Sequence, residues 1–474
     1  MLEIENKSLL RASGTNSFPV ENPATGDVIA HVPNMTEAEV LTAIEAADAA
    51  MPAWRDALAK ERAAAMMRWH DLIMANQEDL ARIITAECGK PLAEARGEVA
   101  YGASFIQWFA EEAKRVYGDM IPSTLPNKRI MVIKQAIGVV SAITPWNFPV
   151  AMITRKVAPA MAAGCTAIVR PAESTPLSAI ALEVLALEAG IPKDVLQVVT
   201  SLKPQKVGEL LTTHPTIRKF SFTGSTAVGK QLLMQCASTV KKASMELGGN
   251  APFIVFDDAD IDAAVAGAMV SKYRNAGQTC VCANRFYVQE GVYDAFVEKF
   301  AAAVAALKVG DGAAEGTTCG PLINQAAVEK VTGLVETAVS AGAKAVVGGT
   351  KHEAGDNFYA PTVLSNVRHE MDITQAEIFG PVAPVYSFKD EAEVIQCAND
   401  TPYGLAAYFY ARDLGRVFRV MEALEYGMVG VNEGIISTEV APFGGVKESG
   451  LGREGSRYGI EDYLEIKYCL LGGL

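Results

Sequence analysis

The chain has 474 residues, half of them hydrophobic, and it carries a formal net charge of −13 with a pI near 5.1. Its length exceeds that of one ordinary hydrophobic core and indicates two or three domains. The acidic balance argues against a nucleic-acid or anionic-membrane surface, because those partners need clustered lysines and arginines.

The predicted elements form a helical region, an arm and two α/β series. Residues 36–114 are rich in Ala, Glu, Arg and Leu with helical periodicity. The β-rich alternation of RIMVIKQ then predicts a strand or hairpin arm at an interface. Between residues 138 and 256 short apolar runs alternate with helical ones, which predicts a parallel sheet covered by helices. A second such series, beginning at PFIVF, predicts a second α/β domain.

Eight cysteines are scattered along the chain without the dense spacing of secreted scaffolds, which indicates reduced thiols. The start, MLEIENKSLL, shows neither a secretory nor an organellar leader pattern. No apolar run approaches the roughly 18 residues of a membrane helix. We therefore expect a cytoplasmic protein without a membrane partner.

The segment KFSFTGSTAVGKQ predicts a strand that turns through glycine into a helix. Gly224, Gly229 and Lys230 nearly complete a phosphate loop, but Gln231 stands where that loop needs Ser or Thr for Mg²⁺. The G-x-G-x-x-G fingerprint is absent too. What remains is a helix start whose N–H groups and Ser225 hydroxyl can hold a phosphate, with an ordinary strand–helix turn as the alternative.

Three more motifs carry polar groups at predicted turns. Arg170 and Glu173, in CTAIVRPAESTP, follow a predicted strand where parallel sheets bind ligands, although a surface ion pair is the alternative. Glu246, in SMELGGNAP, has semi-apolar surroundings that can raise a carboxyl pKa towards that of a general base; a solvated loop glutamate is the alternative. Asn147, in TPWNFP, is fixed between two prolines and suits an oxyanion donor or simply a rigid turn.

Two cysteines, Cys280 and Cys282, are one residue apart in GQTCVCANR. Side chains two positions apart lie on different faces of a helix, so we expect at most one reactive thiol. The five histidines show no ligand spacing to each other or to this pair, so no metal site is predicted. No histidine lies in a local Cys–His hydrolase signature, although distant ones can converge in the fold.

Taken in this order, the motifs TPWNFP, VRPAE, FTGSTAVG, MELGGN, YRNAGQTC and EIFGP resemble those of the aldehyde dehydrogenase superfamily. The segments ITRKVAPAMAAGC, RNAGQTCVCANR, GIIS and YGIEDYLEIKY are further similar to succinate-semialdehyde dehydrogenases. The resemblance implies an α/β fold with a Rossmann-like cofactor domain (1–117 and 138–250), an α/β catalytic domain (251–440) and a β oligomerisation arm (118–137 and 455–474). The sheet edges of such an arm need partners, so we expect a homodimer or homotetramer.

The resemblance also implies catalytic roles. Cys280 would attack the aldehyde as a thiolate, with the oxyanion held by the Asn147 amide and the Cys280 N–H. Glu246 would activate the water that hydrolyses the thioester. Lys156 and Glu454 would support proton transfer.

A further set of residues matches cofactor-lining positions of the family: Trp146, Arg170, Glu173, Gly224, Ser225, Leu247, Glu377 and Phe379. The family usually has Lys at the position of Arg170. A glutamate at 173 would repel a 2′-phosphate and favours NAD, whereas the neighbouring arginine can bind that phosphate and admit NADP. We expect NAD to be preferred.

Three residues, Arg155, Arg274 and Ser437, match positions that hold the distal carboxylate in succinate-semialdehyde dehydrogenases. The alternative for the two arginines is ion pairing between elements. The resemblance thus implies oxidation of succinate semialdehyde to succinate with NAD(P). Glutarate or 2-oxoglutarate semialdehyde fits the same clamp. From other classes, an inactive fold homologue with a binding role and a cofactor-free thioesterase or acyl-transfer enzyme stay open.

Cys282 then has two interpretations. It is either a small packing residue or a redox partner of Cys280, in a strained and readily reduced disulfide that switches the enzyme off.

Overall fold

The computed structural model describes residues 2–10 and 16–474. Met1 and residues 11–15, which belong to the predicted cofactor domain, lie outside the described residues. Two antiparallel strands, β1 (Ser17–Glu21) and β2 (Val28–Pro33), precede four helices. These are α1 (Glu37–Asp56), α2 (Ala59–Ala75), α3 (Gln77–Cys88) and α4 (Leu92–Glu112). The predicted helical region is confirmed.

A six-stranded sheet follows the strands β3 (Asp119–Ile121) and β4 (Lys128–Ala136). Its elements alternate along the chain as β5 (Val139–Ile143), α5 (Ala151–Ala163), β6 (Thr166–Arg170), α6 (Pro176–Glu188), β7 (Leu196–Val198), α7 (Pro204–Thr213), β8 (Ile217–Thr223), α8 (Thr226–Cys236) and β9 (Lys242–Glu246). Five of the six strands lie in the order β9-β8-β5-β6-β7, all parallel, and a short antiparallel strand from the carboxy-terminal segment adds to the β9 edge. Apolar clusters with α1, α7 and α8 on one face and α2 to α6 on the other cover it, as the alternation predicts.

The second α/β series builds a seven-stranded sheet. Its elements are β10 (Ala251–Val255), α9 (Ile261–Tyr273), β11 (Ala283–Gln289), α10 (Tyr293–Ala305), α11 (Gln325–Ser340), β12 (Lys344–Val347), β13 (Thr362–Ser365), β14 (Val382–Phe388), α12 (Glu391–Asn399), β15 (Ala406–Tyr410), α13 (Leu414–Ala423) and β16 (Met428–Val431). The strand order is β12-β13-β14-β11-β10-β15-β16, and only β12 runs antiparallel to its neighbour.

The carboxy-terminal segment returns to earlier parts of the chain. A two-residue strand, β17 (Gly450–Leu451), pairs antiparallel with β9, and Gly450 lies opposite Glu246. The last strand, β18 (Leu464–Gly472), pairs antiparallel with β4 along its whole length. The predicted union of the arm with the carboxy-terminal strand is thereby confirmed.

Within the described part of the chain, no helix is both long and apolar enough to cross a membrane.

Candidate active site

The site lies where the carboxyl ends of the first sheet meet the loop that precedes β11. The Asn147 loop follows β5, Gly224 follows β8, Glu246 ends β9, and Cys280 lies just before β11. A side chain at position 249 would collide with the Cys280 carbonyl oxygen, so glycine is needed where the two segments touch. Cys280 and Glu246, 34 residues apart in sequence, thus come together through this contact of two loops.

The nucleophile candidate faces a cavity of about 250 Å³. Cys280 is partly exposed, and burial of its surroundings raises the pKa of the thiol to about 12, against a lowering effect of Arg155. The loop before it is held in an uncommon backbone conformation, because Asn275 and Ala276 both have positive φ angles of 51° and 52°. Such strain persists only where neighbouring contacts impose it, which is typical of functional loops.

Asn147 is held by hydrogen bonds to its backbone carbonyl and from its side-chain nitrogen. Its backbone carbonyl accepts from Lys90 Nζ at 2.7 Å and from Asn275 Nδ2 at 3.0 Å. Its side-chain Nδ2 donates to the Gln278 carbonyl at 2.9 Å. An amide nitrogen carries two hydrogens, so one N–H is left for an oxyanion beside Cys280. The predicted donor therefore has the required neighbours.

Glu246 is buried, and neither of its carboxylate oxygens accepts a hydrogen bond within the described residues. Burial raises its pKa well above the usual value, and the charge of Glu454 adds to this rise. A Cβ at position 444 would lie 2.8 Å from Glu246 Oε1, so Gly444, at φ 155°, leaves that oxygen its space. A buried carboxyl with a raised pKa and no hydrogen-bond partner suits the role of a general base.

A buried ion-pair cluster adjoins Glu246. The two Glu454 oxygens contact Lys156 Nζ and Arg155 Nε, and all three side chains are buried. Burial alone would raise the pKa of Glu454, but Lys156 and Arg155 lower it below its ordinary value. Burial also lowers the pKa of Lys156, against the raising effect of Glu454. The predicted pair Lys156 and Glu454 is thus in direct contact.

The two predicted substrate arginines differ. Arg155 forms an ion pair with Glu454, as the alternative interpretation predicts. Its Nη1 and Nη2 have no hydrogen-bond partner in the described residues. Arg274 forms no ion pair among those residues, and its guanidinium lies 5.3 Å from the centre of the Phe148 ring. Both arginines lower the pKa of the Tyr101 hydroxyl, against burial that raises it. Both arginines therefore lie within electrostatic range of the Tyr101 hydroxyl. Ser437, by contrast, is partly exposed in the segment after β16.

Most of the predicted cofactor residues line the cavity at Cys280. Those that do so are Trp146, Gly224, Ser225, Leu247, Glu377 and Phe379. The Trp146 and Phe379 rings meet edge to face with centres 5.6 Å apart, and Phe379 has a positive φ of 54°. Glu377 Oε1 accepts from the Gly249 N–H at 3.0 Å.

Arg170 and Glu173 lie apart from that cavity, at the end of β6. Arg170 Nη2 donates to Glu173 Oε2 at 2.8 Å, so the ion pair given as their alternative is present. Arg170 is buried and its Nε has no partner in the described residues, whereas Glu173 is exposed. One donor of this arginine is still available to a ligand.

Cys282 is buried and donates its thiol to the Lys272 carbonyl at 3.6 Å. All cysteines in the described residues are free thiols. The packing interpretation of Cys282 therefore describes this conformation, and the disulfide with Cys280 remains a prediction. No group of three or more metal-ligating side chains is arranged for a metal ion in the part of the chain that the structure describes.

Sequence reasoning missed several residues of the site. Lys330 lines the cavity and donates to the Glu377 carbonyl at 2.6 Å, and Tyr101 on α4 lies within electrostatic range of both arginines. Lys90 donates a hydrogen bond to the backbone carbonyl of Asn147. Asn275 and Gln278 belong to the motif YRNAGQTC, which gave a signal for them; the other three carry none in the local sequence.

Comparison with known proteins identifies the family of the chain. The model of the aldehyde dehydrogenase family matches residues 10–469. A glutarate-semialdehyde dehydrogenase of Pseudomonas aeruginosa is 63% identical over 98% of this chain and 96% of that protein. An NADP-dependent succinate-semialdehyde dehydrogenase of Escherichia coli is 60% identical over 98% of this chain and 97% of its own length.

A crystal structure of succinate-semialdehyde dehydrogenase from Burkholderia pseudomallei superposes with a TM-score of 0.98, at 59% identity, covering 99% of this chain and 100% of that one. The two parallel sheets are accordingly the Rossmann-like and catalytic α/β units of that fold. On sequence and fold alike, the chain belongs to the aldehyde dehydrogenase family.

Proposed function

We propose that this NAD(P)-dependent oxidoreductase oxidises succinate semialdehyde to succinate, with glutarate semialdehyde as the second candidate because a 63% identical relative is named for it. The observation that carries the proposal is the pair Arg155 and Arg274, which both lie within electrostatic range of the Tyr101 hydroxyl. Arg155 is fully buried with two nitrogens that lack acceptors, and Arg274 has no ion-pair partner in the described residues. A carboxylate at the far end of a short aldehyde supplies the missing acceptors.

The lining of the cavity beside Cys280 offers groups that suit a phosphate and an aromatic ring of a dinucleotide. The Ser225 hydroxyl is exposed at the start of α8 and makes no capping bond there, so it and the helix N–H groups are free for a phosphate. Trp146 and Phe379 form an aromatic wall near Cys280. When bound, NAD(P) supplies the hydride acceptor for the reaction.

The residues of the chain supply the remaining chemistry. The Cys280 thiolate forms a C–S bond to the aldehyde carbon, and Asn147 Nδ2 with the Cys280 N–H stabilises the resulting oxyanion. Loss of hydride leaves a thioester on Cys280. Glu246 then takes a proton from water as the water oxygen bonds to the acyl carbon, and the C–S bond breaks with the sulfur leaving as thiolate.

The preferred cofactor is a separate proposal. Arg170 is paired with Glu173, whose carboxylate accepts from a ribose hydroxyl and repels a 2′-phosphate, and this supports NAD. The Escherichia coli relative, however, is named for NADP. A preference for NADP of tenfold or more in kcat/KM would contradict our choice.

A rate panel tests the whole proposal. NADH or NADPH formation is followed at 340 nm with the C4 and C5 semialdehydes, 2-oxoglutarate semialdehyde and the uncharged butanal. We expect the highest kcat/KM for succinate semialdehyde, with differences of roughly 10- to 100-fold across one methylene. Absence of any reduced cofactor would support the inactive homologue, and ester turnover without cofactor would support the thioesterase.

Replacing Arg274 by alanine is expected to reduce kcat/KM for succinate semialdehyde by roughly 10- to 100-fold, because a charge-assisted hydrogen bond contributes about 1.5–3 kcal/mol. Butanal has no distal charge, so its kcat/KM should change little. The measurement is the ratio of kcat/KM for succinate semialdehyde to kcat/KM for butanal, taken in the parent and in the variant. Arg412→Ala, at an exposed ion pair with Asp260, is the control. An equal loss for both aldehydes would contradict the clamp.

Oxidation is expected to inactivate the parent enzyme reversibly if Cys280 and Cys282 form the predicted disulfide. Formation of this disulfide requires the Cys282 thiol to break its hydrogen bond to the Lys272 carbonyl. Activity is measured after peroxide and again after dithiothreitol, in the parent and in Cys282→Ala. Recovery of the variant to the same extent as the parent would contradict the disulfide.

We further propose assembly into a homodimer or homotetramer through the arm. Its strands expose the apolar side chains of Met120, Ile466, Tyr468 and Leu470. Exposed apolar strand edges are covered in stable proteins. Sedimentation as a monomer at micromolar concentration would contradict this assembly. The cytoplasmic location remains a prediction.

A further inference from the structure

A buried ion pair at the amino-terminal end of α4 adjoins the Asn147 loop, which is residues 144–150. Lys90 lies just before α4 and Glu98 lies in its second turn, and both side chains are buried. Lys90 Nζ donates to Glu98 Oε2 at 2.5 Å. Taking two charges out of water is costly, and only further hydrogen bonds in the interior offset that cost. Neither charge takes part in the proposed reaction, so their other contacts indicate what they do.

Lys90 contacts two successive residues of the Asn147 loop. Its ammonium donates to the Asn147 carbonyl at 2.7 Å and lies 3.8 Å from the centre of the Phe148 ring. With the bond to Glu98, these contacts match in number the three N–H groups of an ammonium. Lys90 therefore holds the middle of the loop.

Glu98 holds the end of the same loop. Its Oε1 accepts from the Val150 N–H at 2.9 Å and from the Ala151 N–H at 3.4 Å, where α5 begins. Val150 has no side-chain oxygen to cap α5, so a carboxylate from α4 satisfies these N–H groups. A Cβ at Gly102 would lie 2.6 Å from Val150 Cγ1, so glycine at this position of α4 permits the close approach.

The Asn147 side chain depends on the position of its backbone. Its Oδ1 has no hydrogen-bond partner in the described residues, and its Nδ2 donates to the Gln278 carbonyl. One hydrogen bond fixes the direction of one N–H, so the direction of the second N–H follows from where the backbone lies. Asn275 Nδ2 and Cys88 Sγ also donate to the Asn147 carbonyl, at 3.0 and 3.9 Å. The charged donor Lys90 makes the shortest of the three contacts.

The same helix also holds the loop that carries Cys280. Glu94 Oε2 accepts from the Asn275 N–H at 2.7 Å. Glu94 and Glu98 are four residues apart and therefore share one face of α4. This face thus supports both sources of oxyanion donors, the Asn147 amide and the loop with the Cys280 N–H.

We propose that Lys90 and Glu98 are positioning residues that orient the second N–H of the Asn147 amide towards the oxyanion on Cys280. The inference rests on the aldehyde oxidation given as the proposed function. Neither residue lines the cavity at Cys280, so the pair acts through the backbone of the Asn147 loop. A displacement of about 1 Å at a reacting group can cost on the order of 100-fold in rate, so loss of this support has a measurable effect.

The test uses a variant that lacks both charges, Lys90→Met with Glu98→Gln. It leaves no unpaired buried charge, and the glutamine oxygen can still accept from the Val150 N–H. The rate of reduced-cofactor formation in a single turnover is measured with succinate semialdehyde and with butanal. We expect a loss of roughly 10- to 100-fold for both aldehydes, because both form the same oxyanion. The Kd values of NAD and NADP, from fluorescence titration, should be unchanged.

A double-mutant cycle with Asn147→Ala separates positioning from a general structural role. Without the amide no side-chain donor is left to orient. Adding the Lys90 and Glu98 changes to Asn147→Ala should therefore slow the single turnover by no more than about twofold. Losses that multiply would overturn the proposal. A parental rate in the variant that lacks both charges would also overturn it, as would a loss of cofactor affinity in that variant.

Lys241→Met is the matched control. Lys241 is also a buried lysine whose ammonium donates to backbone carbonyls, those of His214 and Ile217, but it lies before the amino end of β9. We expect the parental single-turnover rate. A loss as large as that of the Lys90 and Glu98 variant would show that any buried lysine has this effect, and would overturn the proposal. If the parent itself forms no reduced cofactor, the proposed function fails instead.

Discussion

Replacing Cys280 by serine is expected to reduce kcat/KM for the aldehyde by about 10⁴-fold or more, since removal of a covalent nucleophile eliminates the acyl-enzyme route. The serine hydroxyl keeps the shape of the side chain but is a far weaker acid and nucleophile than the thiol. Cofactor binding should persist, because Trp146 and Phe379, which line the same cavity as Cys280, are unchanged. Initial rates and a fluorescence titration with NAD and NADP measure the two effects separately.

The pH dependence of alkylation tests the raised pKa of the Cys280 thiol. Burial raises the pKa of Cys280 to about 12 in the chain without ligands. A raised thiol pKa favours the neutral form, so the thiolate fraction rises with pH throughout the range below 12. We expect alkylation of the cofactor-free protein by iodoacetamide to accelerate about tenfold for each pH unit between 7 and 9. A plateau in that range would show that a nearby group lowers the thiol pKa further than Arg155 does.

Cys282→Ser is the matched control for both measurements. Its sulfur faces the Lys272 carbonyl, and a hydroxyl can donate to the same oxygen. We expect the variant to keep most of its activity and the same alkylation profile. Full activity in Cys280→Ser together with loss in Cys282→Ser would reverse the assignment of the two cysteines.

The parts of the site that the sequence predicts share one property, which is that they follow strands of one parallel sheet. Asn147, Gly224 and Glu246 come directly after or at the ends of β5, β8 and β9, and parallel topology brings those ends to one edge. Local turn motifs and strand alternation therefore suffice for them. The aromatic wall at Phe379 comes from the second sheet, and only the family resemblance pointed to it.

The remaining contacts depend on chain segments that no local pattern connects. Glu454 reaches Lys156 across 298 residues, because β17 adds the carboxy-terminal segment to the edge of β9. Tyr101 comes within electrostatic range of Arg155 through the packing of α4 against α5. The polar alternation of Lys219 and Ser221 in β8 is typical of a strand with one solvated face, yet the carboxy-terminal segment buries it. Such coverage is a tertiary property that the periodicity of a strand does not contain.

Replacing Glu246 by glutamine is expected to separate the two halves of the reaction. The amide has nearly the same shape but cannot accept the proton of the hydrolytic water, so thioester hydrolysis should slow by roughly 10²- to 10⁴-fold. Attack by Cys280 and hydride transfer should still occur once, since Asn147 and the loop at Asn275 are unchanged. Stopped-flow absorbance at 340 nm should show a burst close to one reduced cofactor per active site, followed by a very slow steady state.

The pH dependence of that steady state identifies the base. Burial and the charge of Glu454 raise the pKa of Glu246, so the carboxyl is protonated and inactive at low pH and becomes effective as pH rises through its pKa. Parental kcat should therefore increase with pH on this limb, and the limb should be absent in Glu246→Gln. Glu439→Gln, a partly buried carboxyl bonded to Ser104, is the control and should keep both the limb and the rate. If Glu246→Gln abolishes the burst as well, Glu246 is needed before hydride transfer, and the base that activates water must be sought in the neighbouring Glu454–Lys156 pair.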